Sequence, residues 1–266
     1  MSNYNKHINS FSANTEYNLY IFTEDCQVPN VAYIEENDTV KMLKVKPQEI
    51  TGEVGGIYYS DGTTTGPNDA VDTSKTPIGI IVQAPTTENM SKTVIMSVYD
   101  INPDGTNSPN NDTVCKYGKS GTAAATTDNP EIPNDDDGTK DISVYSGKAF
   151  TKVLVDKYGS DAVAAYACSI YSTEGTEAGD WYYPSASELK QLCANNYTVI
   201  NNTLKKLKNV SKGYTLYTTI GTFSSSEYNG ERCVRIKFDD GEVGNSLKYS
   251  GTPVRAFCTI DPFKNL

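Results

Sequence analysis

Histidine is nearly missing from this 266-residue sequence: the only one is His7, close to the start of the chain. Catalysis at neutral pH most often depends on a histidine that accepts or donates the proton. Nucleophile-elbow, phosphate-loop and zinc-binding histidine motifs do not occur either. A carboxylate pair for glycoside hydrolysis stays open in principle, but an acidic surface already accounts for the many Asp and Glu residues. We therefore predict that the protein is not an enzyme and uses no cofactor and no metal.

Positive charge is also scarce in the sequence. Lys and Arg number 23 against 33 Asp and Glu, which gives a formal net charge of −10. Nucleic acids and anionic lipids require a basic surface, so neither is an expected partner. No apolar run approaches the roughly 20 residues of a membrane span, so no membrane insertion is expected.

Residues 1–12 lack the apolar core of a secretory signal. Thr, Ser, Asn, Gly and 19 Tyr dominate the composition, as is common among adhesins and virion proteins. A surface-protein composition without a visible signal favours a component of a virion surface that is assembled in the cytoplasm. A bacterial cell surface is the alternative location.

The six cysteines are widely spaced and include no Cys-x-x-Cys pair. This pattern does not indicate a metal site or a redox motif. Without a signal, buried free thiols are the expected state. The run Asp135-Asp136-Asp137-Gly138 lacks the EF-hand spacing, so a solvated loop is expected there rather than a calcium site.

Short β-strands are predicted in the first part of the chain, where apolar residues alternate or bunch between turn residues. They cover 18–23, 31–35, 40–45, 57–59 with a following Asp-Gly turn, and 75–82. From Pro103 to about Lys140, Asn, Asp, Thr, Gly and Pro dominate, which indicates a long polar insertion. We predict a β-rich N-terminal attachment region over 1–70 and a second domain over 71–266 with this insertion at about 103–140.

Helical periodicity begins near Ser146 and predicts two helical pieces that join at Gly159-Ser160. Ser185 and Glu188 form a capping-box pattern that opens a helix through Leu192. A further short helix is predicted to bury Val199, Ile200, Leu204 and Leu207.

The last part of the chain returns to β-structure. Residues 233–238 alternate cleanly, so that Cys233, Arg235 and Lys237 share one strand face and the intervening apolar residues share the other. Asp239-Asp240-Gly241 predicts a hairpin turn. Strands are then predicted over 243–249 and 253–258.

Four segments of the C-terminal half carry a resemblance to a known group of domains. They read GDWYYPSASEL at 179–189, TFSSSE at 222–227, FDDG at 238–241 and VRAF at 254–257. In order and spacing they resemble the GxWYLPSxxEL, YWSSSE, FxxG and VRAF segments of bacterial and phage domains of the DUF1566 (Lcl C-terminal) type. Residues 58–82 resemble the first strands of the same group. Phe223 stands where these domains usually have Trp, and Cys233 where an aromatic is common.

The resemblance implies an α+β protein whose C-terminal domain has a C-type-lectin-like fold, with two helices on a small twisted antiparallel sheet and paired N- and C-terminal strands. Variable proteins of diversity-generating retroelements share this fold and bind receptors through changeable residues of the late strands. The segment 29–33 is similar to short segments in virion proteins of phages that infect gut Bacteroides. The Glu-Pro-Asn and Trp-Asn-Asp triplets of calcium-dependent sugar lectins are absent, so sugar binding through calcium is not expected.

The same resemblance places the ligand face on the late strands and their connections. Tyr, Arg and Asn side chains suit recognition because they combine contact area with adaptable hydrogen bonds. For Arg235 and Lys237 a plain solvent-side strand position is equally compatible. Trp181 is expected in the core, and Glu227 and Arg255 are expected to form an internal ion pair. The candidate ligand-binding residues are Tyr214, Tyr217, Thr219, Tyr228, Asn229, Glu231, Arg232, Arg235, Lys237, Asn245, Lys248 and Tyr249.

Two functions from different classes follow. The first is a non-enzymatic receptor-binding or host-adhesion module on a phage virion or bacterial surface, whose ligand is a host cell-surface protein or glycan. In that case the N-terminal region attaches the chain to other virion or surface-assembly proteins. The second is a structural decoration protein without a defined ligand. The sequence leaves open whether the chain forms a homo-oligomer.

Overall fold

The computed structural model describes residues 52–84, 93–108, 114–118, 135, 137–142, 146–210 and 221–260, and the backbone of 32–36 and 39–43. The chain divides into two compact units, Met1–Pro47 with Leu266 and Gln48–Asn265. In the first unit, β1 (Ala32–Glu36) and β2 (Thr39–Leu43) form an antiparallel hairpin, which confirms two predicted strands. The strand predicted at 18–23 lies outside the described residues.

The second unit is α+β, with helices and several antiparallel sheets. Its strands are β3 (Ile57–Tyr59), β4 (Thr64–Thr65), β5 (Pro77–Gln83), β6 (Thr93–Ser97), β7 (Asp100–Ile101), β8 (Asn107–Ser108), β9 (Cys115–Lys116), β10 (Trp181–Tyr182), β11 (Thr222–Glu227), β12 (Arg232–Ile236), β13 (Val243–Leu247), β14 (Gly251–Thr252) and β15 (Phe257–Ile260). Its helices are α1 (Gly147–Tyr158), α2 (Val163–Ile170), α3 (Ala186–Glu188), which continues as a π-helical turn over Leu189–Cys193, and α4 (Tyr197–Val210). The mixed class predicted from the sequence is confirmed.

A six-stranded antiparallel sheet forms the centre of this unit, in the order β10-β15-β6-β5-β3-β4. One face packs on α1 and α2 through residues such as Ile81 and Ile95, and the other packs on α4 through residues such as Ile80. Burial on both faces explains why residues 77–82 read as a nearly continuous apolar run rather than an alternating one. Trp181, on β10, is 1% exposed, which confirms its predicted place in the core.

The predicted helices are present. α1 ends at Gly159, whose φ of 55° lies in the region that favours glycine, and a 3-10 turn over Gly159–Asp161 leads into α2. The capping box of α3 is confirmed: Ser185 Oγ accepts the N–H of Glu188 at 3.2 Å, and Glu188 Oε2 accepts the N–H of Ser185 at 2.8 Å. The face of α4 that packs on the sheet includes Ile200, Leu204 and Leu207, as predicted, whereas Val199 is only partly buried there.

The carboxy-terminal part differs from the prediction. β11, β12 and β13 form a separate three-stranded sheet, and the strand predicted over 253–258 begins only at Phe257. Before that point two backbone hydrogen bonds join the segment to the early strands: the N–H of Ser97 donates to the carbonyl of Ala256 at 2.8 Å, and the N–H of Ile101 donates to the carbonyl of Val254 at 2.9 Å. Side-chain hydrogen bonds supplement them. The hydroxyl of Ser97 accepts the N–H of Ala256 at 3.1 Å, and the guanidinium of Arg255 donates to the carbonyl of Ser97 at 3.1 Å.

The predicted domain boundary at residue 70 falls inside the second unit. β3 pairs with β5 as well as with β4, so that Ile57 lies opposite Ile80. Both early strands therefore belong to the central sheet. The boundary between the compact units lies after Pro47 instead.

The described cysteines are buried free thiols, as predicted. Burial raises the pKa of Cys115 to about 12 and also raises the pKa of Cys168, Cys193 and Cys233. These side chains are therefore protonated and act as small apolar core residues. Cys26 lies outside the described residues. The free thiols are Cys115, Cys168, Cys193, Cys233 and Cys258.

Asp135 is completely buried, although its acidic run predicts a solvated loop. Its carboxylate accepts the N–H of Ser187 at 2.8 Å, the hydroxyl of Ser187 at 2.6 Å and the hydroxyl of Ser226 at 3.2 Å. Burial raises the pKa of Asp135, and these hydrogen bonds oppose that shift. The solvated-loop prediction is therefore wrong for this residue, because its carboxylate fastens the polar insertion to α3 and β11.

Replacement of Asp135 by Ala should lower the free energy of unfolding by about 2–4 kcal/mol, since three buried donors lose their acceptor. Asp137→Ala is the matched control. Asp137 is exposed and accepts the N–H of Thr139 within its own turn, so its loss should change stability by at most about 0.5 kcal/mol. Urea denaturation of both variants measures the difference. Equal losses would contradict the anchoring role.

Glu188 is a second buried carboxyl with neutral partners. Its Oε2 accepts the N–H groups of Gly147 and Ser185, both at 2.8 Å, and its Oε1 accepts the hydroxyl of Tyr182 at 3.1 Å. Burial raises the pKa of Glu188 from 4.5 to about 7, against the lowering effect of these hydrogen bonds. One side chain thus joins the start of α1, the strand β10 and the cap of α3.

The raised pKa of Glu188 predicts that stability falls as the pH rises. The unfolded chain releases this proton near pH 4.5 and the folded chain near pH 7, so the folded state binds more protons between these values. The free energy of unfolding should fall by about 3 kcal/mol across this window from this group alone. Glu188→Gln keeps an acceptor and removes the titration. Urea denaturation measures the free energy of unfolding of both proteins below pH 4.5 and above pH 7. From the lower to the higher pH, the stability of the variant should rise by about 3 kcal/mol relative to the wild type. A stability difference between the two proteins that is the same at both pH values would refute the prediction.

Candidate functional site

One end of the three-stranded sheet gathers several predicted ligand-binding residues. The chain turns back at 228–231 between β11 and β12, and it turns again at 248–250 after β13. The two turns lie side by side, since the N–H of Lys248 donates to the carbonyl of Glu231 at 3.0 Å. We call this surface, residues 228–231 and 248–250, the late-strand tip.

A buried ion pair supports the late-strand tip. Nζ of Lys248 lies 2.5 Å from Oε1 of Glu227 and donates to the carbonyl of Gly230 at 3.1 Å, and both side chains are almost fully buried. The ring of Tyr117 packs against the same ammonium, with its centroid 5.4 Å from Nζ. Its hydroxyl donates to the carbonyl of Ser225 at 2.9 Å. Burial and the carboxylate of Glu227 raise the pKa of Tyr117, so its phenol stays neutral.

Two tyrosines project from this supported surface. Tyr228 directly follows Glu227, and Tyr249 directly follows Lys248, so the ion pair fixes the backbone that carries both rings. Their exposed fractions are 43% and 51%, and Val114, which lies against Gly251 nearby, is 50% exposed. Exposed aromatic and apolar area of this kind is typical of contact surfaces.

Hydrogen bonds hold the polar residues of the late-strand tip in place. Oδ1 of Asn229 accepts the N–H groups of Glu231 and Arg232 at 3.0 and 2.9 Å, a local pattern that stabilises turns. The guanidinium of Arg232 donates to Oδ1 of Asn245 at 2.8 Å. These side chains are therefore oriented within the protein itself.

Other predicted site residues lie away from the late-strand tip. Arg235 is half-buried in the middle of β12, where its guanidinium lies across Gly244; a Cβ at that glycine would come within 2.8 Å of Nε. Lys237 lies at the opposite end of the sheet, with Nζ 2.9 Å from the carboxylates of Asp240 and Glu242, and hydrogen bonds to them raise its pKa. The structure therefore does not bring the whole predicted set together. Tyr214, Tyr217 and Thr219 lie outside the described residues.

The predicted ion pair between Glu227 and Arg255 is wrong. The structure pairs Arg255 with Asp100 at 3.1 Å, in a site where both side chains are almost fully buried, and it pairs Glu227 with Lys248. Arg255 precedes β15 beside β7, whereas Lys248 follows β13 beside the end of β11. The sequence also predicts an exposed Lys248, but this residue is 5% exposed and supports the late-strand tip from within.

Tyr117 is a supporting residue that the sequence reasoning did not find. It lies in the polar insertion, whose composition predicts a loop, yet β9 within that insertion pairs with β14. The available signal was the short run Val114-Cys115-Lys116-Tyr117, in which Cys115 and Tyr117 lie two positions apart, as on one face of a strand, inside a polar stretch.

The late-strand tip offers two exposed phenol rings together with amide, carboxylate and guanidinium groups on a fixed base. This combination suits noncovalent recognition. Over the ranges that the structure describes, no three His, Cys, Asp or Glu side chains are grouped to hold a metal ion. No described helix has the length and hydrophobicity that a membrane span requires.

Breaking the ion pair beneath the late-strand tip should destabilise the protein strongly. Lys248→Met removes the cation and leaves the buried carboxylate of Glu227 without its partner, whereas Glu227→Gln removes the carboxylate and leaves the buried ammonium of Lys248 without its partner. Each variant should therefore lose about 3–5 kcal/mol of unfolding free energy. The double variant should lose clearly less than the sum, because neither charge then remains beside a neutral partner. Urea unfolding of all four proteins measures the coupling. Losses that simply add would show that the pair does not act as a unit.

Comparison with known proteins does not assign the chain to a family. No protein-family model matches it, and no curated protein matches it. A fimbrial protein from Bacteroides ovatus is similar in structure, with a TM-score of 0.48 and 19% identity over 84% of this chain, and the chain spans 56% of that protein. At this distance the likeness supports no conclusion about fold or function. The resemblance to DUF1566-type domains stays a prediction from the sequence.

Proposed function

We propose that the protein is a non-enzymatic ligand-recognition protein, a receptor-binding or host-adhesion module displayed on a phage virion or a bacterial surface. In this proposal the late-strand tip contacts a host cell-surface protein or glycan. The observation that carries it is the placement of Tyr228 and Tyr249, both exposed and each next in sequence to one member of the buried Glu227–Lys248 pair.

A fixed backbone makes these tyrosines effective contact residues. A tyrosine side chain has two rotatable bonds and a large amphipathic surface, so immobilising it costs little conformational entropy. Aromatic residues of this kind contribute about 2 kcal/mol or more where they act as binding hot spots. Because the ion pair and the Asn229 turn already order the loop, binding does not have to supply that ordering.

Polar groups surround the exposed rings. Glu231 is exposed, and the half-buried Arg232 is held by Asn245. A polar rim around aromatic anchors is the usual arrangement at protein contact surfaces, where the rim sets specificity more than affinity.

The proposal includes a C-type-lectin-like fold for the second unit. The pairing of β15 with β6 supports it, since this brings a late strand beside an early one. The packing of α1 and α2 against one face of the central sheet supports it as well. The resembling segments coincide with structural landmarks, namely the capping box at 185–188 and β11 at 222–227. The first unit would serve attachment to other virion or surface-assembly proteins.

Replacement of the two exposed tyrosines should remove binding. The test measures saturable binding of the labelled full chain to intact gut bacteria and to an immobilised glycan panel, for wild type, Tyr228→Ala, Tyr249→Ala and the double variant. Each single substitution should weaken binding about tenfold or more. Stability should change little, because both rings are exposed.

Tyr166→Ala is the matched control for this test, since Tyr166 is a half-buried tyrosine on α2, outside the late-strand tip. It should bind like the wild type. If folded wild-type protein binds no cell and no glycan, either as single chains or in a multivalent form, the proposal fails and the structural decoration role is favoured. Cell binding that stays at wild-type strength in the double variant would overturn the assignment to the late-strand tip.

A further inference from the structure

A cleft of about 450 Å³ lies at the other end of the three-stranded sheet, beside the turn between β12 and β13. The start of α4, the loop after β4 and Asp239 of that turn line it. Its volume falls within the roughly 300–1,000 Å³ that small-molecule sites occupy. It shares no lining residue with the late-strand tip.

Hydrogen bonds from α4 hold one wall of the cleft in place. Nζ of Lys206 donates to the carbonyls of Pro67 and Asp69 at 2.6 and 2.9 Å, which fixes the loop after β4 against the helix. The hydroxyl of Thr203 donates to the carbonyl of Gly55 at 2.6 Å and joins the same helix to the segment before β3. The cleft is therefore already formed in the protein alone, which keeps the entropic cost of binding low.

Neutral groups that both donate and accept hydrogen bonds dominate the lining. Asn68, Asn195 and Asn202 present exposed amides, and Thr198 presents an exposed hydroxyl. Each amide offers two donors and one acceptor oxygen. Asp239 adds an exposed carboxylate, whose oxygens accept hydrogen bonds. Such a set matches a ligand with several hydroxyl groups, since each hydroxyl also donates and accepts.

Tyr197 supplies an apolar face to the same cleft. Its half-buried ring packs against the core that contains Ile200, and its hydroxyl accepts the side-chain amide of Asn201 at 2.9 Å, which fixes the orientation of the ring. Burial and the carboxylate of Asp239 raise the pKa of Tyr197, so the phenol is neutral. A fixed aromatic face beside polar groups suits a ring-shaped ligand with an apolar side and a hydroxylated edge.

Charge narrows the class of ligand further. Among the described residues that line the cleft there is no Lys or Arg, and Asp239 places negative charge there, so phosphate, sulfate and carboxylate ligands are disfavoured. A hard divalent cation is also disfavoured, because the described lining offers it a single carboxylate to balance its charge. We infer that this cleft binds a short neutral saccharide, held by Asn195, Asn202 and Asp239 against the ring of Tyr197.

Ligand-observed NMR on the full chain tests this inference. The probes are neutral mono- and disaccharides of glucose, galactose, mannose and N-acetylglucosamine, with sialylated and sulfated analogues beside them. At least one neutral probe should show saturable binding, and its acidic analogues should bind no more tightly. Asn195→Ala and Asn202→Ala should each weaken binding about tenfold, because each removes amide hydrogen bonds to the sugar.

Asn209→Ala is the matched control. Asn209 is also an exposed amide of α4, about two helical turns beyond Asn202 on the same side of the helix, and it lies outside the cleft. This variant should bind like the wild type, and circular dichroism should show all three variants folded. If no neutral probe binds at about 10 mM, the inference fails. It also fails if Asn202→Ala leaves binding unchanged while Tyr228→Ala abolishes it, and that result would leave the proposed function of the late-strand tip standing.

Discussion

The buried carboxyl of Glu188 is the constraint on which the second unit depends. It accepts hydrogen bonds from the first residue of α1, from the cap of α3 and from the hydroxyl of Tyr182 on β10. Any of these elements could move away only by leaving a fully buried acceptor or donor unsatisfied, which costs more than an average hydrogen bond contributes. Apolar packing on both faces of the central sheet supplies most of the stabilisation. The hydrogen bonds of Glu188 then favour the one arrangement of α1, α3 and β10 in which all of these polar groups are paired.

The same principle extends outward to the loops. Asp135 joins the polar insertion to the core through hydrogen bonds from Ser187 and Ser226. Asp100 forms a buried ion pair with Arg255, and Glu227 forms one with Lys248. Buried ionic and polar groups contribute little net stability compared with apolar residues of equal volume, but removing one partner is costly. We therefore interpret them as determinants of a single arrangement: they exclude alternative positions for segments that carry too few apolar side chains to be positioned by packing.

Local features of this fold could be predicted from the sequence, whereas long-range pairings could not. The capping box spans four residues, and the helix break at Gly159 needs one, so a short stretch of sequence contains the whole signal. Asp135 instead meets Ser187 and Ser226, 52 and 91 positions away, and nothing near Asp135 specifies them. The exposed tyrosines of the late-strand tip were predicted as candidates because the resemblance places the ligand face on the late strands and because their residue type suits recognition. Their buried support and the cleft were not, because each is assembled from segments far apart in the chain.

The late-strand tip and the cleft lie at opposite ends of the three-stranded sheet. At each of them a lysine side chain bonds to other groups of the protein. Lys248 is neutralised by Glu227, and Lys206 is bound to the carbonyls of Pro67 and Asp69. Arg255 likewise forms a buried ion pair with Asp100. Each buried ion pair takes one cation and one carboxylate out of the surface, so these pairs leave the formal net charge of −10 unchanged. A net charge of this sign repels acidic polymers at a distance, so both proposed sites would favour neutral or basic ligands before any specific contact forms.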